Sequence, residues 1–150
     1  ASYVKEGEGF ANTFREIQPK FSRLYASVLA EVNLSLPQYA LLNQLRTFGT
    51  MSMTETSKRL NLTKPAITHL VDKLEEKKLL KRLTHPKDRR IILLSIRPKG
   101  EKIVSWIHGY SLQMLLGAYD QFDAAGQETV RRFCSAISRE LDNRLRETLK

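Results

Sequence analysis

Cysteine is nearly absent from this sequence: Cys134 stands alone among 150 residues. A single thiol excludes an intrachain disulfide and any cysteine-based zinc site, and it fits a reducing compartment. Long apolar runs are lacking too. No stretch approaches the roughly 18–20 residues of a membrane span, and the opening ASYVKEGEGF carries no secretion-type hydrophobic region. A soluble, cytoplasmic protein is therefore expected, processed or trimmed ahead of Ala1. The marks of the common enzyme classes are also missing. There is no phosphate-cradling Gly loop, no nucleophile elbow and no metalloprotease His pair on a helix; Gly7-Glu8-Gly9 is too short and isolated to count. His69, His85 and His108 lie far apart, none with a second ligand three or four residues on. No catalytic residue, metal or cofactor is expected.

What the chain does have is cationic charge in one place. Its formal net charge is +9. Residues 58–102 hold fourteen Lys/Arg against five Asp/Glu, and the remainder holds eleven of each sign. The whole excess thus sits on about a third of the chain, as a polyanion-binding face requires and a solubility charge does not. The length suits one domain, and 41% hydrophobic with 27% charged residues is a globular composition.

The charged third is centred on Thr63 to Arg97, TKPAITHLVDKLEEKKLLKRLTHPKDRRIILLSIR. Ile67, Leu70, Val71 and Leu74 follow a period of 3.6 and predict a helix with one apolar stripe. Its other face carries Lys64, Thr68, His69 and Lys73. Strand-like runs follow at Leu80–Thr84 and Ile91–Arg97, separated by the polar, turn-rich His85-Pro86-Lys87-Asp88-Arg89-Arg90. Upstream, Ser52-Met53-Thr54-Glu55 reads as a capping box opening a helix to about Leu60. Asn61 tolerates a left-handed helix end, and Thr63 caps the next helix with Pro65 in its first turn. That cap aims free N–H groups and a positive dipole end at whatever lies in front of Thr63. Two short helices and a basic-tipped hairpin make a winged helix-turn-helix: a rod for the major groove and a prong for phosphates or the minor groove.

Long helices flank this module. Residues 1–9 read as a loose arm. Phe10, Phe14, Ile17, Phe21, Leu24, Val28 and Val32 then recur at steps of three or four, with a kink expected at Pro19. Ser35 and Gln38 form a capping box for a helix holding Tyr39, Leu42 and Leu45 and ending near Phe48-Gly49. Pro98-Lys99-Gly100 punctuates before a helix carrying Ile103, Trp106, Ile107, Tyr110, Met114 and Leu115 to about Tyr119. Asp123 and Gly126 mark a break. The last helix bears Val130, Phe133, Cys134, Ile137, Leu141, Leu145 and Leu149. So much apolar seam exceeds what a domain this small needs for its own core, and a homodimer built from the two chain ends is inferred. Cys134, beside Phe133 and Ile137, is expected to be an inert buried thiol.

Over LSLPQYALLNQL (34–45), LTKPAITHLVDKLEEKKLLKR (62–82) and HPKDRRIILLSIRPKG (85–100) the chain resembles the MarR family of transcription regulators. The most specific signal is the wing tip, where an Asp is followed two positions on by an Arg: Asp88-Arg89-Arg90. The resemblance implies a mainly α (α+β) single domain, with a winged helix-turn-helix module at 35–97 and dimerisation helices at 10–33 and 100–150. It also implies that Asp88 orients Arg90 into the minor groove. The residues agree with this picture. Thr63, Lys64, Pro65, Thr68 and His69 open the recognition helix, where base edges are reached, and Thr68 can donate, accept or offer its methyl. Lys73, Lys81, Lys87 and Arg89 are assigned to phosphates, which fix register without reading sequence.

Small phenolic or aromatic effectors are common in the family, and Arg23, Tyr25, Tyr39, Arg46, Trp106 and His108 are candidates to hold one, together with Phe48 and Tyr110. Some relatives sense oxidants through a cysteine in the first helix; residues 1–33 contain none, so that mechanism does not carry over. The expected function is a homodimeric, ligand-responsive repressor on a pseudo-palindromic duplex. An activator or anti-silencer of the same family, and a sequence-indifferent architectural DNA-binding protein, stay open as alternatives.

Overall fold

A computed structural model of the chain describes residues 7–148. Six helices and three short strands follow in the order α1 (Glu8–Glu31), α2 (Leu36–Phe48), β1 (Met51–Ser52), α3 (Met53–Leu60), α4 (Lys64–Glu76), β2 (Leu80–Thr84), β3 (Ile92–Ile96), α5 (Pro98–Tyr119) and α6 (Ala124–Thr148). The sheet is antiparallel in the order β1-β3-β2, with Met51 opposite Leu94, and Leu80 to Thr84 opposite Ile96 to Ile92.

The core lies where α2, α4, α5 and the sheet converge. Leu41, Leu42 and Leu45 from α2, Ile67, Val71 and Leu74 from α4, and Val104 and Ile107 from α5 are buried with Leu79, Leu80 and Leu94. Each helix contributes positions three or four apart, so one stripe per helix drives the packing. Thr56 is the buried polar side chain, and its hydroxyl donates to the Ser52 carbonyl at 2.8 Å.

Local chemistry sets most boundaries as expected. Ser35 and Gln38 exchange both bonds of a capping box, at 3.2 and 3.1 Å, and α2 ends at Gly49 with φ 83°. Helix α1 runs through Pro19. At the far end of α4, the Lys77 ammonium donates to the Asn33 carbonyl and to Gln38 Oε1, joining that helix to the corner between α1 and α2.

Several expectations are corrected. Ser52 caps α3 by accepting from Glu55 N at 3.0 Å, but the Glu55 carboxylate turns to Arg59 at 3.0 Å, so the box is half made. Strand β1 is two residues long, too short for any alternation to betray it. The proposed loose arm is helical from Glu8, and residues 1–6 lie outside the described residues, as does Leu149. Pro98-Lys99-Gly100 does not interrupt the chain; it forms the first turn of α5, where proline lacks only a donor the helix does not use. Gly100 is there for space: a Cβ at this position would run into the Leu79 carbonyl oxygen and sit 3.0 Å from Ile96 Cγ1. Gly126 likewise lies inside α6, donating its N–H to the Asp123 carboxylate at 2.8 Å, so Asp123 is the cap.

The N-terminal half of α1 and all of α6 stand off the core. No residue of α6 is buried, although Phe133, Ile137, Leu141 and Leu145 line one side of it. Phe10 stays 59% exposed, with Phe133 edge-on at 5.7 Å and Phe14 stacked at 6.3 Å. Cys134 is exposed within the chain rather than buried, because α6 stands off the core and Phe10 meets its stripe only at Phe133.

Candidate nucleic-acid interface

The turn between α3 and α4 is tied at several points. Asn61 adopts the left-handed conformation at φ 53°, ψ 49°. The Ser57 hydroxyl donates to the Leu62 carbonyl, and Leu62 N donates back to the Ser57 carbonyl at 2.9 Å. Thr63 Oγ1 accepts from Ala66 N at 3.3 Å, and α4 begins with Pro65 in its first turn. One stripe of α4 is buried, so Thr63, Lys64, Pro65, Thr68 and His69 are left exposed on one side of its first two turns. Thr68 donates to the Lys64 carbonyl at 2.9 Å. That bond uses its only proton, leaving lone pairs and a methyl facing outward. Lys73, a turn further on, is partnered by Glu76 at 3.8 Å.

The wing is the β2–β3 hairpin. Its loop closes through His85 N to the Ile91 carbonyl and Ile91 N to the Asp88 carbonyl, both at 3.1 Å. The His85 ring braces it by accepting from Lys87 N at 3.1 Å. At the tip, Asp88 takes three bonds from Arg90: Oδ1 accepts the backbone N–H at 3.0 Å and Nε at 3.1 Å, and Oδ2 accepts Nη2 at 3.1 Å. These bonds, the side-chain one foremost, hold the Asp88 carboxyl below its ordinary range. A guanidinium gripped at two nitrogens keeps a fixed plane. Arg90 is nonetheless 90% exposed, so the grip aims the side chain without hiding it. Lys87 and Arg89 are exposed beside it, and Lys81 is exposed near the start of β2 opposite Ser95; none of the three has an ion-pair partner among the described residues.

Helix and wing meet. One cleft is lined by Lys64, Ile67 and Thr68 of α4, by Arg90, Ile91 and Ile92 of the wing, and by Thr54 and Lys58 of α3. Sequence reasoning missed both the α3 lining and Arg82. From β2, Arg82 reaches Asp72 at 2.5 Å and Glu75 at 2.7 Å, both on α4, and its backbone N–H also bonds Glu75 at 3.2 Å. Arg82 thus fixes the angle between rod and prong and neutralises two carboxylates close to the cationic face. The signal available was Asp72 and Glu75 three apart on one helical face, ahead of a strand cation.

The candidate effector residues divide. The Arg46 guanidinium lies 3.0 Å from His108 Nδ1 and 2.9 Å from Ser105 Oγ, while Tyr39 meets the His108 ring edge-on at 6.2 Å. Arginine only donates, so Nδ1 accepts and His108 is the neutral Nε2–H tautomer. Burial, with Arg46 adding to it, lowers the pKa of His108; burial chiefly, helped by Tyr25 and opposed by Arg46, raises that of Tyr39. Tyr25 and Tyr39 line an apolar groove with Phe21, Leu29 and Leu36. Arg23 does not line that groove, and Trp106 stands on the exposed side of α5 beside Tyr110, centroids 6.0 Å apart. Phe48 lies under Arg59 at 4.4 Å.

The likenesses to known proteins include this module, and some extend over most of the chain. Residues 34–92 match the model of the MarR family. The uncharacterized HTH-type transcriptional regulator YhbI of Bacillus subtilis (strain 168) is 23% identical over 132 residues, 88% of this chain and 86% of YhbI. The HTH-type transcriptional repressor MdtR of the same organism is 30% identical over 88 residues, 59% of this chain and 54% of MdtR. Among solved structures, the MepR–DNA complex of S. aureus superposes with a TM-score of 0.72 at 20% identity, covering 87% of this chain and 98% of that one, which establishes a shared fold. These relatives are regulators rather than enzymes. The module at residues 34–92 is thus similar to the MarR family, and the relatives the chain resembles are HTH-type transcriptional regulators.

Proposed function

We propose that two copies of this chain bind one pseudo-palindromic DNA duplex, each placing α4 in a major groove and Arg90 in the adjoining minor groove, and that the complex represses transcription until a small aromatic effector releases it. The observation that carries this is the shared cleft. Lys64, Thr68 and an exposed, pre-aimed Arg90 face one space, and a groove-reading rod beside a groove-probing prong has the geometry of a winged helix. The assigned contacts are Thr63, Lys64, Pro65 and Thr68 toward bases, His69 toward a base or a phosphate, Lys73, Lys81, Lys87 and Arg89 toward phosphates, and Asp88 as the orienter of Arg90. MdtR is named a repressor and MepR has been crystallised with DNA, both consistent with this assignment. Such a protein works on the chromosome, in the cytoplasm.

Pairing is supported by the bare stripes of α1 and α6, since a 25-residue helix with an uncovered apolar side has no stable place in a lone chain. The segments 10–33 and 100–150 are accordingly assigned to dimerisation, and 35–97 to DNA. Sedimentation is expected to show two chains in free solution and two chains per duplex; a lone chain at micromolar concentration contradicts the pairing. The groove at Tyr25 and Tyr39, with Arg46 beside it, suits a phenol or an aromatic acid. Such a ligand acts by favouring a dimer whose recognition helices no longer match the groove spacing.

Asp88→Ala is expected to weaken DNA binding even though it removes a negative charge from a DNA-facing surface, because Arg90 then loses the carboxylate that fixes its plane. Tighter binding in a gel-shift titration refutes the orienting role.

A further inference from the structure

We propose that the cleft between α3, α4 and the wing is a channel for a single sugar–phosphate strand, and that Lys58, on the first helix of the helix-turn-helix, clamps a phosphate of that strand. The inference rests on the reading of α4 in the major groove and Arg90 in the minor groove. Neighbouring grooves of a duplex are divided by one backbone strand. Thr68, facing base edges, and Arg90, entering the next groove, line the same cleft, so the dividing strand has to run along it.

The chemistry of the cleft fits that occupant. Lys58 and Lys64 stand on its rim, and neither has an ion-pair partner among the described residues. The adjacent cation on α3, Arg59, is already committed, to Glu55 at 3.0 Å and to the face of Phe48 at 4.4 Å. Lys58 is thus the α3 cation left free for a phosphate. Ile91 and Ile92 line the cleft while remaining 37% and 42% exposed. Branched apolar side chains at a solvent-facing hairpin tip serve no core, but they match the apolar face of a deoxyribose. A channel with cationic rims and an apolar lining takes a strand as a unit, phosphates to the rims and sugars to the lining. Thr54, also in the lining, adds a hydroxyl donor for the same phosphates.

The test compares the wild-type dimer, Lys58→Gln and Arg59→Gln on a selected operator across a salt series, by fluorescence anisotropy. Each phosphate contact contributes a slope of roughly −0.9 in log affinity against log salt. Lys58→Gln, altered in both protomers, is expected to flatten the slope by about twice that amount, with the ratio of operator to scrambled affinity unchanged. Arg59→Gln is expected to keep the wild-type slope. Placing a neutral methylphosphonate at each phosphate in turn should reveal one position per half-site that weakens the wild type and leaves Lys58→Gln unaffected. A wild-type slope for Lys58→Gln, or equal methylphosphonate penalties in both proteins, overturns the clamp while leaving the DNA-binding reading intact. Absence of operator binding by the wild type overturns both.

Discussion

Arg90→Ala is expected to lower operator affinity by about 1–3 kcal/mol for each wing, the usual cost of a lost groove contact. In the proposed dimer each wing meets its own half-site, so the losses add, and the complex is expected to bind at least about thirtyfold more weakly. The size follows from how the side chain is held. Two bonds from the Arg90 guanidinium to the Asp88 carboxylate set its plane before DNA arrives, and a third from the Arg90 backbone N–H steadies the turn, so little entropy remains to be lost on entering the groove. Arg90→Lys keeps the charge and gives up the two-pronged grip, and it should recover only part of the affinity. A titration in which Arg90→Ala matches the wild type removes the wing tip from the interface.

Gly100→Ala is expected to destabilise the fold by about 3 kcal/mol, the upper end of the range for overpacking a filled site. The added methyl meets the Leu79 carbonyl, and that carbonyl cannot swing away, because it already accepts the Arg97 N–H at 2.9 Å. Something has to move where α5 leaves the sheet, beneath the wing. For a domain of this size the melting temperature should fall by roughly 6–12 °C. Melting within about a degree of the wild type would show that the junction yields, and the close approach of α5 to the sheet would lose its structural meaning.

The elements legible in the sequence were those whose cause is local. Apolar spacing placed α1, α2, α4, α5 and α6, and the caps Ser35, Ser52 and Thr63 placed three helix starts. The left-handed turn at Asn61 followed from its short polar side chain. What stayed hidden depends on partners distant in sequence. Arg82 drew no notice in the sequence, and its role shows only where the fold sets Asp72 and Glu75 beside it. Gly100 looked like punctuation until Leu79, twenty-one positions earlier, was found against it. Lys58 and Arg59 are adjacent and chemically alike, yet only packing shows that Arg59 is committed to Glu55 and Phe48. The effector candidates failed to form one group for a related reason: helical spacing says which side chains share a face, but not what that face meets. Tyr25, Tyr39, Arg46 and His108 came together across three helices, whereas Trp106 and Arg23 went elsewhere. Cys134 shows the same limit in reverse, since its apolar neighbours at helical spacing suggested an interior and the thiol is exposed in this chain.

The most direct measurement is the affinity of the wild-type protein for its selected duplex against a scrambled duplex of equal length, at physiological salt. Recognition by α4 and the wing predicts a ratio of about 10³ or more in favour of the selected sequence, with half-sites about one helical turn, roughly 10 base pairs, apart. Equal affinity for the two duplexes would mean that this cationic face holds DNA without reading it.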